Sequence, residues 1–157
     1  MSLIPYRSLM LCTLLASSLL APSYADNKQS AVPMLPAYQQ ECAACHIAYP
    51  PQFLPAASWQ ALMQNLPRHF GSDASLDPQM VAQLSTWLSA HAARSQRMAN
   101  RPPEDRITTS NWFVREHREV SARIWQLSTV NKGANCAACH TRAAQGDFNE
   151  RYIRLPQ

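Results

Sequence analysis

One pentapeptide occurs twice in this chain of 157 residues, as Cys42-Ala43-Ala44-Cys45-His46 and as Cys136-Ala137-Ala138-Cys139-His140. Cys-x-x-Cys-His is the attachment pattern for a c-type haem. Two thiols about one helical turn apart can add to the two vinyl groups on one edge of a porphyrin. The histidine that follows then falls beneath the iron as its proximal ligand. A redox dithiol needs only one motif and no trailing histidine. Disulfides ignore the histidine, and zinc sites of Cys and His are less tied to export. Two complete motifs therefore point to two covalent haem c groups with their irons. One sits on Cys42 and Cys45 with His46, the other on Cys136 and Cys139 with His140. The flanks differ, Ile47-Ala48-Tyr49-Pro50-Pro51 against Thr141-Arg142-Ala143-Ala144-Gln145, so no larger repeat surrounds the motif.

Export is legible at the start of the chain. Arg7 precedes an apolar stretch from Leu9 to Leu20, followed by Ala21-Pro22-Ser23-Tyr24-Ala25, where small residues suit a signal peptidase. The apolar core is too short to span a bilayer comfortably, so residues 1–25 read as a removable signal peptide. Cys12 leaves with it, and Asp26 opens the mature chain. No later apolar run could cross a membrane. The mature chain carries 13 Lys and Arg against 10 Asp and Glu. Four haem propionates would bring it close to neutral, so the basic composition is no argument for a nucleic-acid partner. Its cations are nearly all arginine, whose planar fork suits carboxylates such as propionates, with Arg106 and Arg154 as candidates.

The remainder reads as all-α, low in regular structure, with helices and loops wrapped around two covalently bound haems. Residues 26–93 form an N-terminal haem region, 94–106 an Arg- and Pro-bearing linker, and 107–157 a C-terminal haem region. Residues 26–40 read as a polar, Pro-punctuated lead-in, and Pro50, Pro51 and Pro55 as an extended connection. Ser58 is a candidate cap for a short helix with Trp59, Leu62, Met63 and Leu66 on one face. Asp77-Pro78 is an N-cap and first-position pair for a helix with Val81, Leu84, Leu88 and His91 in one stripe. Thr108, Thr109 or Ser110 caps what reads as the longest helix, with Phe113, His117, Val120, Ile124 and Leu127 in line, ended at Asn131-Lys132-Gly133. Trp59, Trp87, Trp112 and Trp125 fall at core spacings.

What fills the sixth position of each iron separates carrier from catalyst. Three histidines remain, His69, His91 and His117, with Met34, Met63, Met80 and Met98 as rivals. After His140 the chain has no His, Met, Cys or Lys, so that iron must look upstream. His117, on the apolar side of the nearest helix, is the candidate. For the first haem, His69 in a loop competes with His91 near a helix end and with the methionines.

Several segments resemble the bacterial dihaem cytochrome c family called DHC. They are Leu54-Pro55-Ala56-Ala57-Ser58-Trp59, His69-Phe70-Gly71-Ser72-Asp73-Ala74-Ser75-Leu76, Arg106-Ile107-Thr108-Thr109, Trp112-Phe113 and Glu116-His117. The resemblance runs from about Glu41 to the C-terminus. It implies two low-spin bis-histidine haems, with His69 and His117 as the distal ligands and His91 as a non-ligand. It also implies a periplasmic role, passing electrons from a membrane b-type cytochrome to a small oxygen-binding monohaem cytochrome c.

Two other functions share these features. A dihaem peroxidase-like enzyme would keep one iron open and need an acid–base group beside it, for which Glu116 is the main candidate. A small dihaem subunit of a periplasmic reductase would have a similar composition. The chain is short for a substrate cavity in addition to two haems, which favours the carrier over the enzyme. A compact domain of this length has a radius of gyration of about 14 Å, so two haems within it lie close.

Thioether attachment has a direct consequence. Acid–acetone treatment of the denatured protein should leave two haems per chain on the polypeptide, and a colourless polypeptide would contradict the assignment.

Overall fold

The computed structural model describes residues 32–95 and 98–157. The signal peptide of residues 1–25, its Cys12 and the first residues of the lead-in lie outside the described residues. The chain is helical, with α1 at Pro36–Cys42, α2 at Ala56–Met63, α3 at Pro78–His91, α4 at Asn111–Glu116 and α5 at Ala122–Trp125, and with single 3-10 turns between and after them. Among the described residues β-structure is confined to two isolated bridges, His69 with Ser72 and His140 with Ile153. This is the all-α, loop-rich architecture that the sequence leads one to expect.

Helix α3 forms as its sequence dictates. The Asp77 carboxylate accepts from the Met80 N–H at 2.9 Å, and Pro78 occupies the first turn, where its missing N–H costs nothing. Leu84 and Leu88 are buried on the inward stripe, which packs against α2. Helix α2 starts earlier than expected. Pro55 in extended backbone takes the cap position, two alanines open the helix, and Ser58 is fully buried inside it without a capping role. Trp59 and Met63 face the core, and Leu66 joins them from the 3-10 turn that follows. The indole N–H of Trp59 donates to the Pro51 carbonyl at 2.7 Å, tying α2 to a 3-10 turn at Pro51–Phe53 where an extended connection was expected.

Two further expectations are corrected. Helix α1 stands where a surface lead-in was expected. Pro36 begins it, and Tyr38 turns inward to donate to the Tyr49 carbonyl at 2.9 Å and to pack 5.1 Å from the Trp87 ring. The expected long helix after residue 110 is broken in two, which leaves α3 the longest among the described residues. Ser110 does cap its first part, accepting from the Phe113 N–H at 3.3 Å. The helix then stops at His117, whose backbone leaves helical angles, and Ser121 in extended backbone starts α5 afresh. Serine favours such a boundary position over a helix interior, and Val120 just before it is a weak helix former.

The apolar core is unevenly distributed. Tyr38, Ala48, Leu54, Trp59, Met63, Leu66, Leu84, Leu88 and Ala92 form one cluster, all from the N-terminal part. In the C-terminal part Phe113, Ile124, Val130 and Ala143 are buried outside that cluster. No helix among the described residues is long and apolar enough to cross a membrane.

Within the stretch expected as a linker, Arg101 clamps the buried Asp105 through two bonds of 2.6 and 2.7 Å. Glu104 and Asp105 both adopt left-handed backbone, at φ 55° and 56°, which non-glycine residues take up only at a cost. Bonding to Arg101 holds the Asp105 carboxyl below its ordinary range against the opposing effect of burial, with Ser58 contributing. A depressed carboxyl stabilises the fold above the unfolded carboxylate range, about pH 4, and the contribution fades as pH falls through the folded value. Asp105→Asn should therefore melt a few degrees below the parent at neutral pH. That gap should close as pH drops below the ordinary carboxylate range, as followed by circular dichroism.

Candidate haem-iron centres

Each attachment motif meets one further histidine in space. The rings of His46 and His69 lie 6.1 Å apart between centroids, and so do those of His117 and His140. An ion bonded to two opposed imidazole nitrogens at about 2 Å each sets the ring centres about 6 Å apart. Both gaps therefore fit one metal between two rings. Among the described residues no three His, Cys, Asp or Glu converge as a ligand set, which counts against a zinc cluster.

The first pair is built from a helix end and a tight turn. Cys42 closes α1, and Cys45 and His46 follow in the turn beyond it. The His46 Nδ1 lies 2.7 Å from the Ile47 carbonyl. That nitrogen therefore carries the ring proton, and Nε2 keeps its lone pair for a metal. His69 ends the 3-10 turn Leu66–Arg68, and the chain reverses at once, with the Ser72 N–H donating to the His69 carbonyl at 3.0 Å. Gly71, at φ +94°, is the residue that permits this reversal, since its surroundings are open and only its backbone angle excludes a side chain. Phe70 also takes left-handed backbone and keeps its ring 43% exposed, with the Arg106 guanidinium 4.2 Å above it.

The second pair is framed by aromatic rings. His117 caps the end of α4, where its ring stacks on Phe113 at 3.9 Å and its Nδ1 sits 2.9 Å from the Phe113 carbonyl. As at His46, this leaves Nε2 available. His140 is fixed by the chain returning beside it, where the Arg154 N–H donates to the Cys139 carbonyl at 2.9 Å and the Thr141 hydroxyl to the Tyr152 carbonyl at 2.8 Å. Phe148 packs 5.2 Å from the His140 ring. Phe53 reaches across from the N-terminal part to Phe148 at 4.8 Å and to Trp112 at 5.2 Å.

Electrostatics favours the ligating forms. Burial, then the neighbouring His46 and Arg106, lowers the His69 pKa, and burial, then His117, lowers that of His140. Both shifts favour the neutral ring, the form that binds metal. Their Nδ1 atoms are buried without a hydrogen-bond partner. Such orphans are rare and fit rings whose placement is set by what the other nitrogen binds. Burial also pushes the Cys42 and Cys136 thiols up to about 11 and raises Cys139. Redox dithiols depend on the opposite shift. The residues present therefore suit covalent haem, with thioethers at the four cysteines and imidazoles on both faces.

The other candidates lie elsewhere. His91 bonds through Nδ1 to the Trp87 carbonyl at 2.7 Å and packs on the Trp87 ring at 5.1 Å. Met63 is core, with Met34 and Met80 packed against that core. Arg106 pairs with Glu104 at 2.7 Å, and Arg154 bonds the carbonyls of Arg151 and Ile153. Tyr49, Phe53 and Phe148 were not singled out from sequence. Tyr49 stacks on His46 at 4.7 Å, and burial pushes its phenol up to about 12, with Cys136 nearby adding to the shift. The only sequence signal for Tyr49 was its place three residues after the motif.

Comparison with known proteins shows the family. The model of the dihaem cytochrome c family matches residues 38–148, and the chain belongs to that family. Among solved structures, a diheme cytochrome c from Shewanella baltica OS155 is 37% identical with a TM-score of 0.69, covering 80% of this chain and 95% of its own. Two from Rhodobacter sphaeroides are similar to it as well. One is 46% identical with a TM-score of 0.65, covering 74% of this chain and 99% of its own. The other is 43% identical with a TM-score of 0.68, covering 76% and 100%. Comparison with curated protein sequences gives no match. The protein carries two haem c groups and is of an electron-transfer class.

His91→Ala should leave the visible spectrum of the oxidised and reduced protein as in the parent, because its ring serves Trp87. Loss of one low-spin haem in that variant would show that the ligand has been misplaced.

Proposed function

We propose that this protein is a periplasmic electron carrier whose two irons are closed on both sides by histidine. His46 and His69 serve the haem on Cys42 and Cys45, and His117 and His140 the haem on Cys136 and Cys139. The observation that supports this reading most is the equal 6.1 Å spacing of the two ring pairs. Haem iron supplies a reversible one-electron change, and two imidazoles favour the ferric state and lower the potential relative to methionine ligation.

The chain's own residues hold that chemistry in place. The backbone carbonyls of Ile47 and Phe113 fix the tautomers of His46 and His117, so that Nε2 of each would hold the iron. Phe113, Trp125 and Phe148 pack against the rings of the second pair. With a histidine on each side of each iron, no position would be left for a substrate, and the protein would act between partners. The family resemblance supports a membrane b-type cytochrome as donor and a small oxygen-binding monohaem cytochrome c as acceptor. The apolar stretch after Arg7 and the cleavage-like Ser23-Tyr24-Ala25 support export to the periplasm.

Carbon monoxide tests the reading. Neither reduced haem of the parent should bind it at neutral pH, whereas His117→Ala should turn one of the two haems high-spin and able to bind it. A stoichiometric complex in the parent, or peroxide turnover well above free-haem levels, would replace the carrier with an enzyme.

A further inference from the structure

Helix α1 and the segment before Cys136 are far apart in sequence, yet two tyrosines join them. The Tyr38 hydroxyl, on the helix that ends in Cys42, donates to the Tyr49 carbonyl at 2.9 Å. The Tyr49 hydroxyl in turn donates to the Ala134 carbonyl at 2.7 Å, across 85 residues of sequence. That same carbonyl accepts the Cys136 N–H at 3.0 Å. On its other side the Tyr49 ring lies nearly parallel to the His46 imidazole, with centroids 4.7 Å apart and planes 22° from each other.

Tyr49 thus touches the proximal ring of one centre and the attachment segment of the other. The aromatic crossings from Phe53 to Phe148 and to Trp112 also join the two parts, and through Phe148 they reach His140, but Phe53 stacks on neither His46 nor His69. Coupling between redox centres falls more steeply through gaps than through bonds and close contacts. The route His46 ring, Tyr49 ring, Tyr49 hydroxyl, Ala134 carbonyl and Cys136 backbone contains one stacking contact and two hydrogen bonds. It also fixes how the second motif sits relative to the first, because the Ala134 carbonyl is held by both donors.

From this arrangement we infer that Tyr49 is the positioning residue that couples the two haems, setting their relative geometry and the rate at which an electron passes between them. The inference rests on His46 as an iron ligand. Tyr49 is neither oxidised nor deprotonated in the step. One electron leaves the centre at His46 and one arrives at the centre on Cys136, or the reverse, and no atom is transferred.

The test compares Tyr49→Phe, which keeps the ring and removes the hydroxyl, with Tyr38→Phe as control. Each holoprotein would be followed by flash-initiated intramolecular electron transfer and by the circular dichroism couplet of the Soret band, which reports the angle between haems. Tyr49→Phe should keep two low-spin haems, slow the transfer several-fold and alter the couplet, whereas Tyr38→Phe should leave the transfer rate unchanged. A parental rate and couplet in Tyr49→Phe would overturn the inference. Loss of a low-spin haem in that variant would also overturn it, by showing that Tyr49 acts on axial ligation. Carbon monoxide binding by the parent would instead strike at the ligand assignment, so the two failures are distinguishable. A measurement on the unaltered protein needs no variant to mature. The Tyr49 ring protons of the oxidised form should carry hyperfine shifts from the stacked iron ligand, and unshifted resonances would overturn the inference.

Discussion

The spacing between facing imidazoles is the dimension to which the rest of the molecule adapts. Two rings 6.1 Å apart would collapse onto each other or drift apart unless something outside them held the gap. The chain holds it with backbone. His46 and His117 are each tied through Nδ1 to a carbonyl, His69 stands on a turn closed by Ser72, and His140 is pinned by the returning C-terminal segment. None of these devices needs a long helix or a sheet. Short turns supply more independent directions per residue than a helix does, and two facing pairs of histidines need many directions. The low content of regular structure follows from that demand.

The distribution of apolar side chains matches this view. The N-terminal part builds a cluster around α2 and α3 in the ordinary way, with Leu84 and Leu88 fully inside. The C-terminal part has little to bury apart from Phe113, Ile124, Val130 and Ala143, and its aromatic rings gather around His117 and His140. A chain of this size otherwise needs a continuous core to be stable. Here the large planar apolar group that each centre would hold would supply surface that the side chains lack.

Much of this was legible from sequence where chemistry or capping is local. The pentapeptides announce their cofactor because thioether bonding requires that spacing, and Asp77-Pro78 announces α3 because a cap and a first-turn proline act within four residues. Segments governed by contacts at longer range were not legible. The stretch holding Pro36 and Tyr38 reads as polar surface until Tyr49 and Trp87 are brought against it to make α1. The Phe113–Leu127 stripe has helical period, and although Val120 and Ser121 suit a break, nothing local forecasts that His117 leaves the helix to face His140. His69 and His117 could be nominated because few histidines exist. Tyr49 could not, because its partner Ala134 is a carbonyl with no side-chain signature.

Phe53 bears on whether such a molecule could be assembled from separable units. Two attachment motifs invite the picture of two monohaem modules joined by a linker. Yet Phe53, in the first part, packs on Phe148 and Trp112 of the second, and the Trp112 indole donates to the Phe53 carbonyl at 3.3 Å. One wall of the second centre is therefore on loan from the first. Excising the first part would strip Phe148 and Trp112 of that neighbour, so moving the second centre into another protein would have to carry Phe53 with it.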